Sequence, residues 1–272
     1  MKLTAFIIII SALYIIIENK LVLVTRTEFF NNNTDRIKII HLSDLHRRSF
    51  GKYNIRLIKK ISSLKPDIII FSGDLITRDC KSLDDTEKFI HMIVKIAPVY
   101  FSSGNHELDM KRLYPDKYQK FISILKNNNV HILDNKSESV FIHDRKINIT
   151  GASLKYSVYK KNDSYKNLDG YSPDEIFQDL GTSDSECINI LIAHNPFFAE
   201  TYSSINPDYT LCGHVHGGIV RLFGIPLLSP ERKFFPQYSK GVFEINGMKL
   251  LVSGGLGKFR IFNPPEIPVY YI

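Results

Sequence analysis

Five short apolar runs in this chain stop at residues that bind metals or move protons, and this repetition restricts the fold more than any other feature. "IKIIHL" runs into Ser43, Asp44, Leu45 and His46. "DIIIFSGD" ends in Gly73-Asp74. "PVYFSSGN" ends in Gly104, Asn105, His106 and Glu107. "INILIA" ends in His194, and "YTLC" ends in Gly213, His214, Val215 and His216. Short apolar runs bounded by turn residues read as buried strands. In an open α/β sheet, ligands gather just beyond the carboxyl ends of the strands. One Asp or His at a strand end means little. Five such ends, using five of the nine histidines, read as one assembled site.

The segments between the runs support an α/β class. Residues 53–64 carry Ile55, Ile58, Ile61 and Leu64 at helical spacing, and Pro66 stops them. Residues 84–96 place Phe89, Ile90, Ile93 and Val94 on one side of a second helix. Alternating strands and helices predict βαβ units and a largely parallel sheet. "LVLVTRTEFF" reads as a strand, and "NNNTD" as a polar turn. "VHIL", "SVFIH" and "KINITGA" add further strands. Asn246-Gly247 between "KGVFEI" and "MKLLVSGG" predicts a type I′ hairpin. Tyr156 to Glu186 is polar, and is expected to be a surface excursion with a short helix near residues 173–180.

The stretch "GHVHGG" is open to two readings taken alone. On extended backbone the two histidines point the same way and could grip a metal, with glycines leaving room beside them. It could equally be a turn with two solvated histidines. The other four strand ends favour the metal.

Together the five blocks, D-x-H, G-D, G-N-H-E, H and G-H-x-H, resemble the calcineurin-like metallophosphoesterases, which are two-metal phosphoester hydrolases. The resemblance runs from about Ile37 to the C-terminus. "GGLGKFRIFNPPEI" and the N-terminal segment are similar to the bacterial membrane-anchored branch, which includes phosphodiesterases and proteins grouped with UDP-2,3-diacylglucosamine hydrolases.

The resemblance implies a four-layer α/β/β/α sandwich with a dinuclear metal site at the strand C-terminal ends. It implies that Asp44, His46 and His216 hold one divalent ion, that Asn105, His194 and His214 hold the other, and that Asp74 bridges them. A nitrogen and oxygen donor set of this kind suits Mn, Fe or Zn. Two such ions attract phosphate and lower the pKa of a shared water, which would attack phosphorus. His106 is not a ligand in the family; it would stabilise phosphoryl oxygens or protonate the leaving group.

Two positions depart from the pattern. Arg47 and Arg48 stand where relatives more often have an apolar residue and glycine. They could bind a second phosphate of a diphosphate substrate, or simply be solvated. Phe197 replaces an acidic residue common in relatives, which alters the pocket rim. His41, His91, His131 and His143 sit in ordinary strand or helix patterns and are assigned to structure.

Leu3 to Ile17 carries no charge, and no A-x-A-like cleavage site follows it. Fifteen helical residues span roughly 22 Å, against a hydrocarbon core of roughly 30 Å. Residues 1–20 are therefore expected to be an uncleaved single-pass membrane anchor, and residues 21–272 the catalytic domain. A cleaved signal is the other reading. Lys2 lies before the segment and Lys20 and Arg26 after it, so the flanks do not set an orientation.

The net charge of +7 fits an anionic partner, but the basic residues are dispersed and form no nucleic-acid groove. Three cysteines without repeated spacing are read as small, buried residues. The expected function is hydrolysis of a phosphodiester or diphosphate bond, on a membrane-proximal substrate such as a UDP-sugar lipid. A nuclease of the same superfamily and a non-catalytic scaffold are the competing readings.

Overall fold

The computed structural model describes residues 2–29, 36–155, 158, 180, 183–230, 232–257 and 260–272. Among these are two six-stranded sheets. The first has the order β1 (Leu23–Glu28), β14 (Glu266–Tyr271), β2 (Lys38–Leu42), β3 (Ile68–Phe71), β4 (Val99–Phe101), β5 (His131–Ile132). The second has the order β12 (Gly241–Ile245), β13 (Met248–Val252), β9 (Tyr209–Cys212), β8 (Ile188–Ala193), β7 (Arg145–Ala152), β6 (Lys136–Ile142). Strands β2 to β5 are mutually parallel, as are β7, β8, β9 and β13. Antiparallel pairs join β14 to β2, β6 to β7 and β12 to β13.

Three apolar clusters explain why these strands are continuously hydrophobic. Ile39, Ile68, Ile70 and Tyr100 of the first sheet meet Ile147, Ile149, Ile190 and Ile192 of the second. The opposite side of the first sheet, with Ile40, Ile69 and Phe71, is covered by α2 (Ile55–Leu64), α3 (Asp84–Ile93) and α5 (Pro115–Asn127). The outer side of the second sheet, with Leu191, Ala193 and Leu250, is covered in part by the short α6 (Ala199–Ser203). Successive residues of each inner strand thus enter different cores, which requires both faces to be apolar. Helix on sheet on sheet on helix is the four-layer arrangement.

Both predicted helices form, over Ile55–Leu64 and Asp84–Ile93. Lys65 closes α2 in the left-handed region, immediately before Pro66. At the β12–β13 hairpin, Asn246 and Gly247 both have positive φ, as a type I′ turn demands. The sheets are largely parallel as expected, with antiparallel pairing where β14 meets β2 in the first sheet and at the two flanking strands β6 and β12 of the second. Cys212 is buried, but Cys80 and Cys187 are only half-buried, correcting the uniform expectation for the cysteines. The polar turn at 31–35 and the short helix near 173–180 fall outside the described residues, apart from Leu180.

At the N-terminus α1 spans Lys2–Lys20, and β1 follows at Leu23. Among the described residues no helix is long and apolar enough to cross a membrane, so the structure lends no support to the single-pass anchor expected for residues 1–20. The last turns of α1 are tied to the body. The Phe262 N–H donates to Glu18 at 2.9 Å, and Asn19 donates to the Arg260 carbonyl at 2.8 Å.

Candidate metal centre

The parallel strands deliver their C-terminal loops to one edge of each sheet. Strands β2, β3 and β4 bring Asp44 and His46, Asp74, and Asn105 and His106. Strands β8 and β9 bring His194, and His214 and His216. The two sets face each other across a cleft of about 170 Å³ lined by Asp74, Arg78, Asn105, His106, His214, His216 and Pro230.

Backbone strain marks the same residues. Asp44, His46, Asp74, His214 and His216 all have φ between 51° and 70°. Non-glycine residues rarely adopt this region, and such strain concentrates where the surroundings impose a functional geometry.

Two groups of side chains could each hold a cation. Asp44, His46 and His216 form one; Asp74, His194 and His214 form the other, with the ligand atoms of each lying within 4.8 Å of one another. The first group holds the residues that the resemblance assigns to one ion, and the second holds His194 and His214 with Asp74, the residue it implies is shared. Asn105 joins the second group through its Oδ1, 3.0 Å from Nδ1 of His214. Asp74 stands between the groups: its Oδ2 is 3.2 Å from Nε2 of His194 and 3.8 Å from Nε2 of His46. A third grouping links His46, Asp74 and His106. Position alone therefore does not separate His106 from the ligands.

The surroundings orient the donors. His194 donates from Nδ1 to the Ser72 carbonyl at 2.6 Å, which aims Nε2 at Asp74. Such an outer bond is how a ligating imidazole is usually fixed. Asp44 accepts from the Ser43 hydroxyl at 2.6 Å and from the His214 backbone N–H at 3.2 Å. Two buried carboxylates, four imidazoles and an amide oxygen form a donor set that fits divalent transition ions.

Electrostatics follow from burial and this crowding. Burial alone would raise both carboxyls. Instead His194 and His106 hold Asp74 well below the usual carboxylate range, and His216 and His194 lower Asp44. Burial works against a charged His194, yet Asp74 and Asp44 outweigh it and push the imidazole up to about 10. Burial lowers His216 to about 3 and His106 to about 4, so both rings are neutral near pH 7.

His106 accepts the Arg78 backbone N–H at Nδ1, 3.1 Å away. A neutral ring accepting there carries its proton on Nε2. Arg78 is held by Asp109 at 2.6 Å, with Nη2 3.2 Å from that same Nε2. Two donors thus converge at the cleft.

Sequence reading missed three residues. Arg78 follows the Gly73-Asp74 block. Glu107 lies in a quoted block without a role; its carboxyl receives the backbone N–H groups of Asp74, Ile76 and Gly104 and so locks two strand ends together. Burial, then Asp74, raises it to about 7. Arg260 lies within "GGLGKFRIFNPPEI"; it is 1% exposed, and Nη2 is 3.3 Å from Nδ1 of His216.

The arginine pair separates. Arg47 stays at the surface, paired with Asp79 and Thr77. Arg48 is half-buried over the Phe50 ring. Phe197 sits at the rim, its ring 6.4 Å from that of His214, under Lys233. The histidines assigned to structure have structural partners: His41 meets Ser72, His91 Asn128, His131 Glu138 and His143 Asp67.

The sequence profile described as calcineurin-like phosphoesterase matches residues 37–218. The chain belongs to that family of metal-dependent phosphoester hydrolases. A metallophosphoesterase of Caenorhabditis elegans is 27% identical over 212 residues, covering 75% of this chain and 41% of its own length. The chain thus spans less than half of that relative. The phosphodiesterase YaeI of Escherichia coli is 24% identical, with 89% of this chain and 84% of that protein aligned. The UDP-2,3-diacylglucosamine pyrophosphatase LpxG of Chlamydia trachomatis is also 24% identical, with 85% and 82% aligned.

Proposed function

We propose that this protein hydrolyses a phosphodiester or diphosphate bond of a membrane-proximal substrate, using two divalent ions held by Asp44, His46 and His216 and by Asn105, His194 and His214, with Asp74 shared. The convergence of these seven side chains on one cleft carries the reading. Bound ions would supply positive charge and a water activated for attack on phosphorus. The chain's own groups do the rest. Asp74 places its carboxylate between the two ligand sets. His106, neutral with its proton on Nε2, donates to a phosphoryl oxygen or to the departing oxygen. Arg78 adds a second donor from the same side, stabilising charge that grows in the transition state.

The membrane part rests on exposed apolar surface. Phe6, Ile9, Leu13, Ile16 and Ile17 of α1 are each about half exposed or more. Phe223, in the hairpin of β10 (Val220–Leu222) and β11 (Ile225–Leu228), is 94% exposed, and Phe234 is 76% exposed. Exposed apolar patches of this kind mark partner or membrane surfaces. The similarity to LpxG, whose name specifies a diacylated nucleotide-sugar diphosphate, supports a lipid-linked substrate.

The test is metal analysis of the purified chain with hydrolysis of bis-p-nitrophenyl phosphate and of an acylated nucleotide-sugar diphosphate in Mn²⁺. Two bound ions and turnover of both support the reading. A protein that holds no divalent metal and cleaves neither overturns it.

A further inference from the structure

Residues 260–263 connect three parts of the molecule. Asn19 and Glu18 of α1 bond to Arg260 and Phe262. The Ile261 N–H donates to Ile219 at 2.9 Å, beside the β10–β11 hairpin. Asn263 donates to the carbonyls of His216 and Gly218 at 2.8 and 2.6 Å. Between these parts lies a second cavity, of about 440 Å³. Ile15 and Ile16 of α1, with Ile219 and Ile261, form its apolar walls; Arg48, Arg260 and Asn19 supply its polar atoms.

Arg260 is the unusual feature. It is among the largest fully buried side chains, and its Nε and Nη1 have no hydrogen-bond partner. Among the described residues no carboxylate lines the cavity. Burial opposes its charge while the nearby Asp44 and Glu266 carboxylates favour it, but neither accepts a hydrogen bond from Nε or Nη1. Its contact with His216 sharpens the problem. An imidazole that ligates through Nε2 carries its proton on Nδ1 and normally gives it to an acceptor. Here Nδ1 faces Nη2 of Arg260 at 3.3 Å, a group that only donates. Both donors lack an acceptor, which a bound anion would supply. Arg48 faces the same cavity and adds a second positive charge.

Resting on the hydrolase reading above, we propose that this cavity is a subsite for the non-reacting phosphate of an amphiphilic diphosphate, with Arg260 and Arg48 binding the anion and the substrate's alkyl part lying against Ile15, Ile16 and Ile219. Charge-assisted bonds from guanidinium to phosphate oxygens are among the strongest available. The isoleucine walls exclude water and strengthen them. The N-terminal helix thereby becomes one wall of the substrate site.

Three non-hydrolysable probes test this by calorimetric titration of the full-length, Mn²⁺-loaded protein: octyl methylenediphosphonate, methyl methylenediphosphonate and octyl phosphonate. The octyl diphosphonate should bind at least about tenfold more tightly than either other probe, about 1.4 kcal/mol. Arg260→Gln and Arg48→Gln should each erase the advantage of the second phosphonate. Ile16→Ser should erase the advantage of the octyl chain while sparing the methyl probe. Equal binding of all three probes to the unaltered protein overturns the subsite. So does Arg260→Gln with diminished metal content and uniformly weakened binding, which would make Arg260 only a support for His216. If Arg260→Gln fails to fold, Arg48→Gln and Ile16→Ser decide alone. Failure of the hydrolase reading shows separately, as absent turnover of bis-p-nitrophenyl phosphate.

Discussion

A Cβ placed on Gly104 would lie 2.3 Å from Oδ1 of Asp74 and 2.7 Å from its backbone nitrogen. The loops after β3 and β4 touch here with no room for a side chain. The contact also sets the position of the carboxylate shared by the two ligand groups. Gly104→Ala is therefore expected to destabilise the fold by ~1–3 kcal/mol, the usual cost of overpacking, and to weaken metal binding at both groups together. Thermal unfolding and metal analysis check this. A variant with the original Tm and full metal content would show that the loops can part without consequence.

Asp74→Asn removes the charge while keeping the shape. Without metal, Asp74 faces His194 at 3.2 Å, and both are buried. A neutral amide can balance neither two cations nor a protonated His194. Metal and hydrolysis should be lost together, whereas Gly104→Ala should retain partial loading at high metal concentration. Near-normal turnover with both ions bound would remove Asp74 from its shared role.

Much of this site was legible in the sequence, because each ligand follows a strand whose apolar run is unmistakable. Burial on two faces writes an uninterrupted Ile and Phe run, and the run's end locates the site. Helix α4 (Asn105–Leu113) was not legible. Its buried residues are Asn105, Glu107, Asp109 and Met110, so polar groups that serve the site replace the apolar stripe. Helix α5 does carry such a stripe, in Tyr118, Phe121, Ile124 and Leu125, and follows Pro115 at its first position. Strand β14 is obscured by Pro268 within it and by Pro264 and Pro265 before it in "PPEIPVYYI", and its partners β1 and β2 settle its place. Arg260 gave no periodic signal at all; its role depends on burial against His216, which is a tertiary fact.

His106→Ala separates binding from chemistry. The ring is neutral near pH 7 and is held by Arg78 rather than by a carboxylate bond. Its removal is expected to leave both ions bound and to lower kcat by roughly 10²-fold or more, the cost of a lost transition-state hydrogen bond. Because cations nearby would lower the imidazole pKa further, no new loss of activity should arise from His106 between pH 6 and 8. Loss of metal in this variant would instead make His106 a ligand, in line with its grouping with His46 and Asp74.

The metal-free site should titrate in a defined way. His194 is raised to about 10 from an ordinary 6.5, so its stabilising pairing with Asp74 is fully present below pH 6.5 as far as the imidazole is concerned, and fades as pH rises through about 10. Asp74 is depressed below 3.8, so its share is present above that value and is lost as pH falls through the lowered one. The pair is intact across neutral pH. Metal must then displace the His194 proton, and loading near pH 7 should release about one proton from this residue. Calorimetry in buffers of different ionisation enthalpy measures that number. His194→Ala should abolish this release; an unchanged proton count would place the displaced proton elsewhere.

The N-terminal helix offers the last test. Its exposed face carries Phe6, Ile9, Ile10, Leu13 and Ile17, and its final turns hold Arg260 and Phe262 in place. These two facts make separate predictions. If the exposed face meets lipid, the full chain should sediment with membranes, and carbonate extraction should distinguish a helix inserted in the bilayer from one lying on its surface. If the final turns also shape the substrate site, a shortened chain beginning at Leu21 should keep its metals and its hydrolysis of bis-p-nitrophenyl phosphate, because Asp44 to His216 are untouched. It should lose about tenfold in kcat/KM on an acylated diphosphate presented in detergent, where membrane attachment cannot contribute. Full chain found wholly in the soluble fraction would remove the lipid contact. Equal kcat/KM for the two chains on the acylated substrate would leave the helix as an attachment device with no part in the site.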